Sequence, residues 1–187
     1  MDKKIEFIYD SIHDIQSTIR AIDTKVAALL VILSIPLTNV GTIINDLNKF
    51  LSKDYGVFKW ILILTFAVSW VVSLIAAARA ISAIDKPSNH VVNSKKLRNT
   101  YYGGGLYKME FLDVFFNRDS LKAFKDVDSY YDDFPEQDLD IAKELIFEQM
   151  KLVYIRDIKI CRFNFSIQAT YLAFALGLTI YLVSKFM

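Results

Sequence analysis

Apolar residues recur near the start of the chain at Ile5, Ile8, Ile12, Ile15, Ile19, Ile22, Val26, Leu29 and Leu33, in steps that alternate three and four. This is the a/d seam of a heptad pattern, and it predicts one helix carrying an unbroken packing stripe. Up to Ile22 the other faces hold Asp10, His13, Asp14, Gln16 and Arg20, so that half is amphipathic and wet. From Val26 to Ile44 there is no charge, so that half suits lipid. Arg20, Asp23 and Lys25 mark the crossing point between the two halves.

The same reading divides the rest of the chain. Residues 1–25 form an amphipathic helix, and residues 26–44 form a first span of roughly the 20 residues a bilayer core requires. Pro36 lies inside that span and predicts a kink, because its ring removes a backbone donor. Asn45 to Lys49 ends the span, and residues 45–56 make a hairpin that turns at Lys53 to Gly56. A second span covers residues 57–83, with Trp60 and Trp70 suited to interfacial or upper-leaflet positions and Arg79 placed to snorkel toward headgroups.

Residues 84–162 are polar enough for a water-exposed helical region. Lys86 to Asn89 breaks the chain, Val91 to Arg98 is a basic connector, and Tyr101 to Gly105 reads as a loop. Short helices are expected over 108–116 and 119–131, the second capped by Asp119 or Ser120. Pro135 and Glu136 open a long helix that nothing interrupts before a third span at residues 163–184. The expected fold is therefore an all-α membrane protein. It has three transmembrane helices and a cytoplasmic helical domain formed by extensions of the first and third.

Lys and Arg placement sets the expected orientation. Lys3, Lys4, Arg20 and Lys25 precede the first span, and Arg79, Lys86, Lys95, Lys96 and Arg98 follow the second. Arg156, Lys159 and Arg162 precede the third, whereas the hairpin offers only Lys49 and Lys53, with Lys59 at its edge, and the tail only Lys185. By the positive-inside rule, the N-terminus and central region are cytoplasmic and the hairpin and C-terminus lie outside. The Ile5–Ile22 seam suits packing against the 136–162 helix and equally a homomeric coiled coil, and the pattern accepts both.

Composition narrows the chemistry. Of 187 residues 53% are hydrophobic and 23% charged, with the charges gathered outside the spans, as in a membrane protein. The net charge of +1 lacks the concentrated basic surface a nucleic acid duplex demands. A single cysteine, Cys161, excludes an internal disulfide framework and a multi-Cys metal site, and reads as a small core residue. The two histidines, His13 and His90, fit no metal or catalytic spacing. Asp132-Asp133 and the Glu144/Glu148 pair read as solvated carboxylates, and Gly103 to Gly105 as a backbone turn. No catalytic residue, metal site, cofactor or enzymatic activity is expected.

Two kinds of polar feature remain. Small and hydroxylated residues recur every fourth position: Ser34, Thr38 and Thr42, beside Asn39, in the first span; Thr65, Ser69, Ser73 and Ala77 in the second; Ser166, Thr170, Ala173 and Gly177 in the third. Such rows let spans approach closely and hydrogen-bond, or line a water path once subunits assemble. Asp23 and Lys25 at the membrane mouth need partners, since charge there is costly unless paired or solvated. Arg156, Lys159 and Arg162 are the expected partners.

These residues also carry a resemblance. Arg20 to Leu30, reading RAIDTKVAALL, resembles the "ADTKAsxLL" signature that opens the transmembrane effector domain of Pycsar anti-phage systems. Asn99 to Gly103 looks like that family's mid-domain "N…FFG" segment, and Leu139 to Lys159 like the helix before its last span. Val26 stands where the signature has a small residue, and no segment resembles a β-barrel nucleotide-binding domain. The resemblance implies a homo-oligomeric effector in the bacterial inner membrane, disrupting that membrane on a signal such as cyclic UMP or cyclic CMP from a partner cyclase. It adds Asn99 and Tyr102 to Arg20, Asp23, Lys25, Arg156, Lys159 and Arg162 as ligand or gating candidates. The alternative expectation is a membrane-anchored adaptor, or a two-span-type effector of a cyclic-oligonucleotide or retron defence system without its own ligand site.

Overall fold

A computed structural model of the chain describes residues 3–52, 56–84, 87–92, 106 and 123–186. Among them there is no strand, and five α-helices carry the architecture: α1 (Lys3–Thr38), α2 (Val40–Ser52), α3 (Phe58–Ile81), α4 (Val127–Tyr131) and α5 (Asp138–Phe186). A 3₁₀ turn occupies Pro87–His90. Helices α1, α3 and α5 are long and apolar enough to cross a membrane, as in a multi-pass membrane protein. Their outward faces agree: Val31, Ile35, Leu64, Val68, Phe165, Tyr171 and Phe174 are all exposed, an arrangement suited to hydrocarbon and not to water.

The chain divides into two compact units. The first comprises Met1–Gln16 with Lys86–Tyr154, and the second Ser17–Asp85 with Ile155–Met187. Both draw on α1 and α5. In the first unit the start of the heptad stripe is buried against α5. Ile5 and Ile12 cluster with Leu145, flanked by Ile8, Ile141, Ala142 and Leu152, and Gln149 Nε2 donates to Ser11 Oγ at 2.7 Å. The seam is thus filled within the chain. In the second unit Ile22, Val26 and Leu33 continue the stripe against Ala77 and Ala80 of α3, with Trp70, Leu74, Ile160 and Phe163 around them.

Several expected boundaries move. The sequence pattern predicts a first span to Ile44 with a kink at Pro36, but α1 stops at Thr38 and α2 restarts at Val40. Pro36 removes the donor that the carbonyl one turn back would use. Local side chains then compete for the backbone: Thr38 Oγ1 donates to the Ile35 carbonyl at 2.7 Å, and Asn39 Nδ2 donates to Thr38 Oγ1 at 3.1 Å. Asn45 to Lys49 was to end that span, yet α2 continues through it. Val40, Ile43, Ile44, Leu47, Phe50 and Leu51 share one face and Asn45, Asp46, Asn48 and Lys49 the other, so these polar residues suit a surface helix. Phe50 is buried, and Lys59 Nζ donates to the Leu51 carbonyl at 2.9 Å, tying the end of α2 to the start of α3.

The helix expected over 119–131 is not continuous. Residues 123–126 are non-helical and α4 begins at Val127, with Asp126 as N-cap accepting from the Ser129 backbone N–H at 2.7 Å. That bond holds the Asp126 carboxyl below the usual carboxylate range. The long helix begins at Asp138, not at Pro135, with the Gln137 carbonyl accepting from the backbone N–H groups of Asp140 and Ile141 at 2.9 and 3.0 Å. Asp138 and Asp140 in its first turn suit the positive end of the helix dipole. The expected segments at 93–105 and 108–120, with the Asp119 and Ser120 caps, lie outside the described residues.

Candidate functional site: the charged junction and the hydroxyl node

The stripe on α1 places Asp23 directly after the buried Ile22, and α5 places Lys159 directly before Ile160 of the same core. Lys159 is 6% exposed, and its Nζ lies 2.5 Å from Asp23 Oδ1. A cation this buried needs a partner, because an uncompensated charge in a low-dielectric site costs several kcal/mol. Of the three cations expected to meet Asp23, the fold selects one. Arg156 pairs with its neighbour Asp157 at 2.9 Å. Arg162 instead donates Nη1–H to the Arg79 carbonyl at 2.7 Å, capping the last turn of α3, where Ser82 Oγ also donates to the Ala78 carbonyl. Arg20 and Lys25 are exposed. Asn99 and Tyr102 lie outside the described residues.

The small-residue rows divide as sharply. Ser73 and Ser166 are fully buried, and with Thr170 they form a node between α3 and α5. Ser166 Oγ donates to the Ser73 carbonyl at 2.9 Å, and Ser73 Oγ lies 2.9 Å from the Ser166 carbonyl and 2.6 Å from Thr170 Oγ1. Ser69, also buried, donates to the Phe66 carbonyl of its own helix. Ala77 and Ala173 are buried, and Gly177 faces Phe66, so the second and third rows meet each other. Thr65, Ser34, Thr38 and Thr42 are exposed, and the first three donate to carbonyls of α3 or α1.

Several groups behave otherwise than the sequence implied. Cys161 is exposed, not a core residue, because it falls opposite the Ile160–Phe163 face of α5. The Trp70 indole N–H donates to the Leu33 carbonyl at 3.1 Å, tying α3 to α1 one turn before Pro36. Glu144 and Glu148, read as solvated, are 6% and 2% exposed. Glu148 pairs with Lys151, whose ammonium sits 4.5 Å over the Phe147 ring. The signal was present in the spacing, since 144, 147, 148 and 151 recur at helical intervals beside the Leu145 stripe. His90 stacks on Tyr154 at 4.2 Å between ring centroids.

Burial pushes the Glu148 carboxyl above the usual carboxylate range; the Lys151 bond and charge partly offset this, and the Glu144 charge adds to it. The folded chain therefore holds this proton more tightly than the unfolded chain. The contribution is fully present below the ordinary pKa of 4.5 and is lost as pH rises through the raised value. Acidification toward the ordinary pKa of 4.5 is expected to raise amide protection factors around Glu148, measured against intrinsic exchange rates at each pH, and Glu148→Gln to flatten that dependence. Equal pH dependence in both proteins would assign the effect to other groups.

Among the described residues no group of three His, Cys, Asp or Glu side chains is placed to hold a metal ion. Comparison with family models, curated proteins and solved structures finds no match for this chain.

Proposed function

We propose that this chain is a homo-oligomeric, signal-gated effector that disrupts the integrity of the bacterial inner membrane, as the Pycsar-type sequence resemblance implies. The observation that carries this reading is the Lys159–Asp23 pair, buried on the lysine side, where two long helices turn from charged to apolar sequence. A charge pair there can bias two helix arrangements that differ by a few kcal/mol, which is the requirement for a gate. A cyclic pyrimidine mononucleotide is the proposed signal, and its anionic phosphate is the chemistry that would compete with Asp23 for nearby cations. The first unit is proposed to be the cytoplasmic domain, from the Lys and Arg distribution. The adaptor reading rested on an available Ile5–Ile22 seam, and burial of Ile5, Ile12 and Ile22 within the chain lowers its support.

Uptake of a membrane-impermeant dye after induced expression, with and without a cognate cyclase, tests the function. Signal-dependent uptake is expected, and full membrane integrity in both conditions would leave only an anchoring role. In the same cells, a reporter active only outside the membrane is expected to work when fused at Lys53 or after Met187 and to be silent at Ser94 or Asp132. Activity at Ser94 would reverse the orientation and remove a cytosolic signal.

A further inference from the structure

Two adjoining cavities of about 230 and 300 Å³ lie within the second unit and share Pro36, Phe66, Gly177 and Tyr181, so they form one groove. It runs along α1, α3 and α5, the helices suited to crossing a bilayer. Its middle offers nothing to water. Trp70 Nε1–H is spent on the Leu33 carbonyl and the Thr170 hydroxyl on the Ser166 carbonyl, and the remaining middle lining is Ile32, Leu33, Ala173, Phe174 and Leu178. An apolar cavity without polar partners does not hold ordered water. Gly177 lets the Phe66 ring pack against the α5 backbone as one wall of the groove, since a Cβ there would come within 3.1 Å of that ring.

The chemistry changes at the α2 end. Asp46 joins the lining there, its carboxylate only 3.7 Å from the exposed Lys49, and the Tyr181 hydroxyl accepts from Lys185 Nζ at 3.3 Å. One mouth of an apolar groove thus carries a carboxylate on α2 and an ammonium with a phenol on α5. A flexible acyl chain suits the apolar middle of this groove, and a zwitterionic headgroup matches the charges at its mouth.

We propose that this groove binds one phospholipid with a primary-amine headgroup, of the phosphatidylethanolamine class. Its acyl chain lies along Pro36, Phe66 and Phe174, its phosphate meets Lys185 and Tyr181, and its ammonium donates to Asp46. The site does not depend on the effector reading, because it uses only the spans and α2.

Native mass spectrometry of the purified protein tests this, after equilibration with equimolar phosphatidylethanolamine and phosphatidylcholine of identical chains. Phosphatidylcholine carries no N–H donor, so the wild type is expected to retain one lipid per chain with a several-fold preference for the ethanolamine form. Asp46→Asn, at a half-buried surface position, is expected to bring the preference close to one while a lipid is still retained. Gly177→Leu is expected to remove the retained lipid, with helical circular dichroism reporting that the chain still folds. No retained lipid in the wild type, equal retention of both lipids, or an unchanged preference in Asp46→Asn would overturn the proposal. A change in oligomer mass in Gly177→Leu with lipid still bound would assign the groove to a second copy instead.

Discussion

Lys159→Glu is expected to change signal-dependent dye uptake by about tenfold or more, toward either constitutive leakage or loss of response. The substitution removes the ammonium from Asp23 and sets a second carboxylate against it at a position only 6% exposed. Breaking a fully buried pair costs roughly 3–5 kcal/mol. The Asp23 side chain is 40% exposed, so solvent screens the effect and about 1–3 kcal/mol is the reasonable figure. Since 1.4 kcal/mol is about tenfold in an equilibrium, that is enough to invert a modest preference between two helix arrangements. Lys159→Met separates lost charge from added repulsion and is expected to have a smaller effect. The exchanged pair, Asp23→Lys with Lys159→Glu, is expected to restore part of the wild-type behaviour, as a direct contact requires. Silent single variants that still insert and assemble would reduce the junction to an anchor.

Ser73→Leu is expected to lower the stability of the spanning bundle by about 2–4 kcal/mol. The side chain has no exposed surface and sits among the Ser166 carbonyl, Ser166 Oγ and Thr170 Oγ1 at 2.6 to 3.1 Å. Overpacking such a contact costs about 1–3 kcal/mol. The lost interhelical bonds add roughly 0.6 kcal/mol each, the average found for such bonds in a membrane. Ser73→Ala keeps the close approach and is expected to cost less than about 1 kcal/mol. Thr65→Leu, two turns away on the same row but exposed, is expected to change stability little. Denaturation of the purified protein in detergent, followed by helical circular dichroism, distinguishes the three. If Ser73→Leu and Thr65→Leu behave alike, the helices do not meet at this node.

The effector resemblance rests on Arg20 to Leu30, Asn99 to Gly103 and Leu139 to Lys159. The first and third of these fall on α1 and α5, and each contributes one member of the Asp23–Lys159 pair. The family assignment remains a proposal that dye uptake and the cyclase dependence address directly. The junction has a separate physical basis, because a buried ammonium and its counterion require each other whatever the chain does.

The three spans and the α1 stripe were legible in the sequence because both depend on local period and length. Residues three and four apart share a helix face, so Ile5, Ile12, Ile22, Val26 and Leu33 declare a buried side without reference to what covers it. What covers it was not legible. The pattern equally served a second copy, and only the packed chain assigns Leu145 to one part of the stripe and Ala77 and Ala80 to another. Partner choice needs the rotation and register of two helices at once. That is why Lys159 rather than Arg156 or Arg162 meets Asp23, why Ser73 is buried while Thr65 on the same row is not, and why Glu144 and Glu148 lie inside. The stop at Thr38 was half legible: Pro36 announced a missing donor, but ending the helix depended on Thr38 and Asn39 bonding locally in the folded chain. Period is a property of one helix, whereas burial, pairing and hydrogen bonds across helices belong to their packing, and tertiary structure alone decides them.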